Sequence, residues 1–245
     1  MNGKVWLVGA GPGDPELLTL KAARVLGAAE VVMIDDLVNP ALLVHCPGAR
    51  VVRVGKRGGC RSTPQAFIHR LMLRYARQGR CVVRLKGGDP CIFGRGGEEA
   101  AWLAERGVDC ELVNGITAGL AGATACGIPL TLRGVSRGVT LVTAHTQDDS
   151  EPEWAALAAS GTTLVVYMGV ARLAALQAGL LAGGMAPGMP LAMIENASLP
   201  EQRERRSTLA TLLQDASAFR LSSPAILVIG EVAAEAAVSA LPLSA

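Results

Sequence analysis

Apolar residues in the first part of the chain come in short continuous runs that stop at glycines or acids. Val5–Val8 ends at Gly9, Glu30–Ile34 at Asp35 and Asp36, and Cys81–Leu85 at a glycine-rich loop; Arg50–Val54 and Asp109–Val113, which carry charges among their apolar residues, are further strand candidates. Runs of this kind, apolar without alternation, read as strands of a buried parallel sheet. Segments with helical spacing lie between them. Asp14 and Pro15 offer an N-cap and first residue for a helix reaching about Gly27. Thr63 and Pro64 open an amphipathic helix with Phe67, Ile68, Leu71, Leu73 and Tyr75 available to its buried side, and Glu98–Arg106 forms another. Strand and helix alternate, which predicts an α/β layer with a mostly parallel, wound sheet.

The pattern changes over residues 114–137, a stretch of Gly, Thr and Ala containing the turn Gly127-Ile128-Pro129. This places the domain junction here and divides the chain into an N-terminal α/β domain, 1–115, and a C-terminal α/β domain, 116–245. In the second part, strands are expected at Val139–Thr143, Thr163–Met168, Leu191–Glu195, Ser207–Thr211, where a helix is the alternative, and Ala225–Ile229. Helices are expected at Pro152–Ala159, Ala171–Leu181 and Glu231–Leu241. More strands per helix than in the first part point to a mixed sheet. Leu164–Met185 is the segment most like a membrane span, but its glycines break it into a buried strand and a helix. The start runs straight from Lys4 into a strand and shows no secretory signal.

Composition narrows the chemistry. Half of the 245 residues are hydrophobic but only 3% are aromatic, so the cores are built from Val, Leu, Ile and Ala. A net charge of +2 and few rings for base stacking argue against nucleic acid as a partner. The six cysteines are widely spaced, without a C-x-x-C pair, and there are three histidines. That spacing supports neither a metal site nor a disulfide framework, and free thiols fit a cytoplasmic protein.

Chemistry concentrates where strands end. Gly9-Ala10-Gly11-Pro12-Gly13-Asp14 follows the first strand; it has Asp14 where a dinucleotide fingerprint has its third glycine, and an acid there disfavours a pyrophosphate. Asp35 and Asp36 close the second strand, either to meet a polar ligand group or to cap a loop. Lys86-Gly87-Gly88-Asp89-Pro90 runs on to Phe93-Gly94-Arg95-Gly96-Gly97-Glu98-Glu99, a loop too costly in glycines and charges for a purely structural role. Gly115-Ile116-Thr117-Ala118-Gly119 enters a helix of small residues that lets a flat ligand or another helix approach. Met168, in Tyr167-Met168-Gly169, suits core packing better than ligand contact. Loop arginines, among them Arg57, Arg95, Arg133 and Arg203, would suit a polycarboxylate.

The set VGAGPGDPELLTLKA, VGKR, VVRLKGGDP with IFGRGGEE, GIT with GIPLT, TLVVYMG, and IEN followed by QR resembles the S-adenosylmethionine-dependent tetrapyrrole methyltransferases over nearly the whole chain. Within them it is most similar to enzymes that methylate carbons 2 and 7 of uroporphyrinogen III, giving precorrin-2 and S-adenosylhomocysteine. The resemblance implies two α/β domains with the cofactor cleft between them, in a homodimer. It assigns Pro12, Gly87, Gly88, Asp89, Ile92, Thr117, Ala118, Met168, Ala197 and Ala225 to S-adenosylmethionine. It makes Asp35 a proton acceptor and Lys56 a proton donor. Arg95 is a third catalytic candidate, better suited to clamping a carboxylate than to taking a proton. Arg57, Glu98 and Arg133 fall to the tetrapyrrole. No metal or membrane is implied.

The chain departs from the usual pattern at Arg61, Cys91, Asn114, Cys126, Leu132 and Ala197-Ser198, where relatives usually have His, Phe, Pro, Tyr, His and Gly-Thr. Most of these departures fall on the tetrapyrrole side. They leave open a later corrin intermediate as substrate, or a protein that binds without catalysis.

Overall fold

A computed structural model describes residues 3–55, 63–145 and 150–234. The chain divides into two compact units, Met1–Thr117 and Ala118–Ala245.

The first unit is built on five parallel strands, β1 (Val5–Gly9), β2 (Val31–Ile34), β3 (Arg50–Arg53), β4 (Val82–Lys86) and β5 (Cys110–Val113), in the order β3-β2-β4-β1-β5. β1 and β2 are apolar throughout because both faces are covered, whereas β4 carries Arg84 and Lys86 and the edge strands β3 and β5 are polar in part and less buried. Val8, Val32, Ile34, Val83 and Leu85 pack with α1 (Leu20–Gly27) on one side. Val5, Leu7, Met33 and Val82 pack with α2 (Gln65–Arg77) and α3 (Gly96–Ala104) on the other.

Several element boundaries differ from expectation. Asp14 does accept a hydrogen bond from the Glu16 amide, but it caps only a 3-10 turn, Pro15–Leu17. The chain returns to extended geometry at Leu18, and Thr19 caps α1 through the Ala22 amide. The α-helix therefore begins several residues after the glycine turn, too late to aim its N-terminus at a phosphate held there. On α2 the buried face is Ile68, His69, Met72 and Ala76; Phe67, expected inside, is 48% exposed. Helix α3 starts at Gly96 rather than Glu98, because Arg95 in the left-handed region (φ 58°) turns the chain into it and the Gly96 amide bonds to Pro90 O.

The second unit holds α4 (Ala118–Ala125), β6 (Val139–Thr143), α5 (Trp154–Ala159), β7 (Thr163–Tyr167), α6 (Leu173–Ala182), β8 (Pro190–Glu195), β9 (Arg203–Thr208), α7 (Leu212–Phe219) and β10 (Ala225–Ile229). Its sheet runs β6-β7-β10-β8-β9, with β6 and β7 parallel and every other pairing antiparallel: the expected mixed sheet. One face packs Leu164, Val166, Met193 and Leu227 against α5, α6 and α7. The other face receives α4, where a methyl added at Gly119 would strike Val165 and Tyr167.

The edge strand β9 lies earlier in the chain than the sequence suggests. It is Arg203–Thr208, not Ser207–Thr211, and Leu212–Phe219 is a helix. β9 lies at the sheet edge and is clothed in charges, with Arg205 paired to Asp215 and Arg206 to Glu204. A charged edge has no apolar alternation to read, and charges on an edge strand discourage pairing with another chain. The expected closing helix begins as a 3-10 turn, Glu231–Ala233; its remainder lies outside the described residues. No described helix is long and apolar enough to cross a membrane.

Candidate functional site

In the first unit, the loops after β1, β4 and β5 meet backbone to backbone. Gly11 and Gly88 exchange hydrogen bonds, 3.2 Å from the Gly11 amide and 2.7 Å from that of Gly88. A Cβ on Gly115 would lie 2.2 Å from Gly88 O, and one on Gly9 would lie 2.5 Å from the Gly115 nitrogen. Only glycine permits that approach. Asp89, 6% exposed, fastens the junction. One of its oxygens accepts from the Cys91 amide at 2.7 Å, and the other from the Gly115 amide at 3.0 Å and Asn114 Nδ2 at 3.4 Å. The loop residues Pro12, Gly87, Gly88, Asp89 and Ile92 are thus gathered at one end of this sheet. Asp89 shapes the loop there, and its carboxylate is already occupied by protein donors.

Arg95 and Glu98 are brought together by the left-handed turn into α3. The guanidinium grips both carboxylate oxygens, with contacts of 2.6–3.2 Å. Both side chains are about half exposed, at 41% and 54%. The bonds to Glu98 raise the Arg95 pKa further, and the same bonds hold Glu98 below the usual carboxylate range. Arg95 is therefore a standing cation that already holds one carboxylate, not a base.

Asp35 accepts from the Leu37 amide at 3.2 Å and from Arg84 Nη2 at 3.3 Å, and its side chain is 25% exposed. Behind it lies a buried ionic cluster that the sequence reading missed. Arg84 and Lys86 alternate along β4 and so point to the same face. Fully buried Glu99 receives both Lys86 contacts at 3.1 Å, stands 3.8 Å from Arg84 Nε, and accepts from Gln65 at 2.6 Å. Burial, and then Arg84, pull the Lys86 ammonium below its ordinary range. His69 lies 3.1 Å from Gln65, with its ring tilted by 31° against that of Trp102, and burial lowers its pKa. The available signal was two basic residues inside an otherwise apolar central strand, where charge is costly unless paired.

In the second unit the assigned residues also converge. Pairing sets Ile226 opposite Tyr167 and Ala225 opposite Glu195, so Met168, Ala197 and Ala225 share one end of the sheet. The start of α4, with Ala118, is tied to that end by the Gly119 amide, which donates to Tyr167 Oη at 2.9 Å. Gly122 lets α4 reach Ala197, since a Cβ there would stand 3.0 Å from the Ala197 methyl. Met168 is not core: it is 47% exposed and left-handed at φ 55°. Core packing therefore does not account for this side chain or for its left-handed backbone.

Thr117 is buried, and Arg133 is exposed in the tight turn bridged by Leu132 and Ser136. Lys56, Arg57 and Arg61 lie outside the described residues. Among the described residues, no three metal-ligating side chains gather as a metal site, and Cys46, Cys81, Cys91, Cys110 and Cys126 are free thiols.

Fold and strand ends together define a two-unit α/β protein with its chemistry-bearing residues in glycine-shaped loops and beside small side chains. The sequence pattern of the Tetrapyrrole (Corrin/Porphyrin) Methylases matches residues 4–213, and the chain belongs to that family. It is 77% identical over 245 residues, the full length of both chains, to the uroporphyrinogen-III C-methyltransferase of Pseudomonas aeruginosa. The Pseudomonas fluorescens enzyme of that name is 69% identical, with 100% of this chain and 99% of that one covered. Among solved structures, uroporphyrin-III C-methyltransferase of Thermus thermophilus complexed with S-adenosyl homocysteine superposes with a TM-score of 0.82 at 43% identity, covering 94% of this chain and 98% of that one.

Proposed function

We propose that this protein transfers one methyl group from each of two S-adenosylmethionines to carbons 2 and 7 of uroporphyrinogen III, releasing precorrin-2, two S-adenosylhomocysteines and the displaced protons. The observation that carries this is the full-length, 77% identity to an enzyme of that name.

The residues fit the cofactor. None of those assigned to it is basic, and the one acid, Asp89, faces backbone amides. α1 begins at Leu20, several residues after the first glycine turn, and the Thr19 side chain already takes up its Ala22 amide. That donor set suits a ligand without phosphate. When bound, S-adenosylmethionine supplies a methyl on a sulfonium, electrophilic without further activation.

The protein's part is to bind, orient and move a proton. Met168 offers a polarisable, apolar contact at one strand end, and Ala118, Ala197 and Ala225 leave flat room beside it. Arg95 takes a substrate carboxylate in bidentate fashion, in competition with Glu98, and Arg57 and Arg133 add cations for the remaining acids. Asp35, anchored by Arg84 but partly exposed, receives the ring proton, and Lys56 donates one. The homodimer and the cytoplasmic location belong to the same proposal; light scattering of the purified protein tests the first.

The test of function is anaerobic incubation of the enzyme with uroporphyrinogen III and methyl-labelled cofactor. Two labels per macrocycle and a red-fluorescing product are expected. No label on uroporphyrinogen III, with label on a later precorrin, would overturn the substrate. Binding of S-adenosylhomocysteine with no transfer to any reduced tetrapyrrole would overturn catalysis.

A further inference from the structure

The string IEN followed by QR resolves into one latch at the cofactor end of the second sheet. Glu195, 1% exposed, ends β8 and is fully engaged. Its Oε2 accepts two bonds from Arg203, the first residue of β9, with Nε at 2.8 Å. Its Oε1 accepts from the amide of Ser222 and from Ser222 Oγ at 3.2 Å, in the segment leading to β10. Arg203 is held from outside by the ring of Phe219 at 4.5 Å. One buried carboxylate therefore ties together the ends of three strands.

The turn that follows Glu195 is strained. Asn196 and Ser198 are both left-handed, at φ 49° and 65°, and Ala197 sits between them. The Leu199 amide closes the turn on Asn196 O at 2.9 Å, and further bonds brace it. The Asn196 amide donates to Pro224 O at 3.0 Å, next to Ala225, and the Ser198 amide donates to Gln202 Oε1 at 2.6 Å. Non-glycine residues persist in such conformations only where their surroundings over-determine them.

We infer that Glu195, Gln202 and Arg203 are positioning residues for the cofactor, holding Ala197 and Ala225 in the conformation that receives S-adenosylmethionine. The inference rests on the reading that these two alanines contact that cofactor. None of the three side chains touches the reacting atoms. They act by fixing where the backbone of two small residues lies, and a displacement of a fraction of an ångström there is enough to lose affinity.

The experiment is calorimetric titration of S-adenosylhomocysteine, with steady-state kinetics, on the full chain and on Glu195→Gln, Gln202→Met and Gln202→Glu. Gln202→Met removes the acceptor for the Ser198 amide, and Gln202→Glu keeps it. Glu195→Gln and Gln202→Met are expected to weaken S-adenosylhomocysteine and raise the cofactor KM about tenfold, with kcat and the tetrapyrrole KM changed less than about twofold. Gln202→Glu is expected to recover most of that affinity. A purely structural role would lower the melting temperature without this split between the two KM values or the recovery. Because Gln202 lies in a partly exposed loop, its pair of variants carries the test even if Glu195→Gln folds poorly. Native affinity in folded Gln202→Met would overturn the inference; failure of the unmodified protein to bind S-adenosylhomocysteine would instead overturn the cofactor reading beneath it.

Discussion

Each unit buries one glutamate beside arginine, and the two are handled differently. Glu99 in the first unit is fully buried, and so are its cationic partners, Arg84 and Lys86, whose side chains are 5% and 7% exposed. Glu195 in the second unit is equally buried, but its partner Arg203 is 49% exposed. What decides the cost of breaking such a pair is where the remaining charge can go. Arg203 can swing into water, whereas Arg84 and Lys86 cannot. The first unit is therefore organised around charges that must stay together, and the second around small residues and strained turns that one carboxylate holds in place.

The comparison breaks most easily at Glu99. Glu99→Ala leaves two buried cations with the partly exposed Asp35 as the acid beside them among the described residues, and is expected to cost about 3–5 kcal/mol. Glu195→Ala loses neutral and half-exposed partners and should cost no more than about 2 kcal/mol. Urea denaturation of both measures this; equal losses would erase the distinction between the units.

Next come two glycines. Gly115→Ala drives a methyl into the Gly88 carbonyl, backbone against backbone with no side chain to yield, and should cost about 3 kcal/mol. Gly122→Ala meets the Ala197 methyl at 3.0 Å, in a helix that gains from alanine, so its stability should change by less than about 1 kcal/mol. Its effect should fall instead on S-adenosylhomocysteine affinity, because Ala197 must shift. A Gly122→Ala protein with unaltered affinity would detach Ala197 from the cofactor.

The same contrast explains what could be read from the chain. The inner strands β1 and β2 were legible because burial on both faces leaves unbroken apolar runs, and the loops because glycines stand where backbones touch. The ionic cluster was missed because charge pairing depends on which side chains face each other across α3 and β4, and that is not a property of any run. β9 was misplaced because an edge strand that begins Arg203-Glu204-Arg205-Arg206 carries no hydrophobic period. Met168 could not be settled from its own chemistry: only its exposure and left-handed backbone separate it from a core methionine.

That residue gives a smaller, more pointed test. Met168→Gly relieves a left-handed φ and should stabilise the protein by about 1 kcal/mol, while S-adenosylhomocysteine binds more weakly. A rise in melting temperature together with a rise in dissociation constant is the expected signature. A fall in stability with unchanged binding would return Met168 to a packing role.

The smallest effect belongs to the exposed pair at the head of α3. Hydrogen bonds from Arg95 lower the Glu98 pKa in the folded protein, so the sign is fixed. The contribution is fully present above the unfolded carboxyl value, about pH 4.3, and is lost as pH falls through the lower folded value. Both groups are half exposed and solvent screens them, so the pair stabilises by no more than about 1 kcal/mol at neutral pH. Glu98→Gln should therefore be slightly less stable than the parent at pH near 7, with the gap closing in strong acid. Urea titrations at both pH values test this, and a gap that widens in acid would mean the pair does not hold in solution. The same variant releases Arg95 from its internal carboxylate. If Arg95 grips the tetrapyrrole, KM for the macrocycle should move while cofactor affinity stays within about twofold; the reverse pattern would place Arg95 with the cofactor instead.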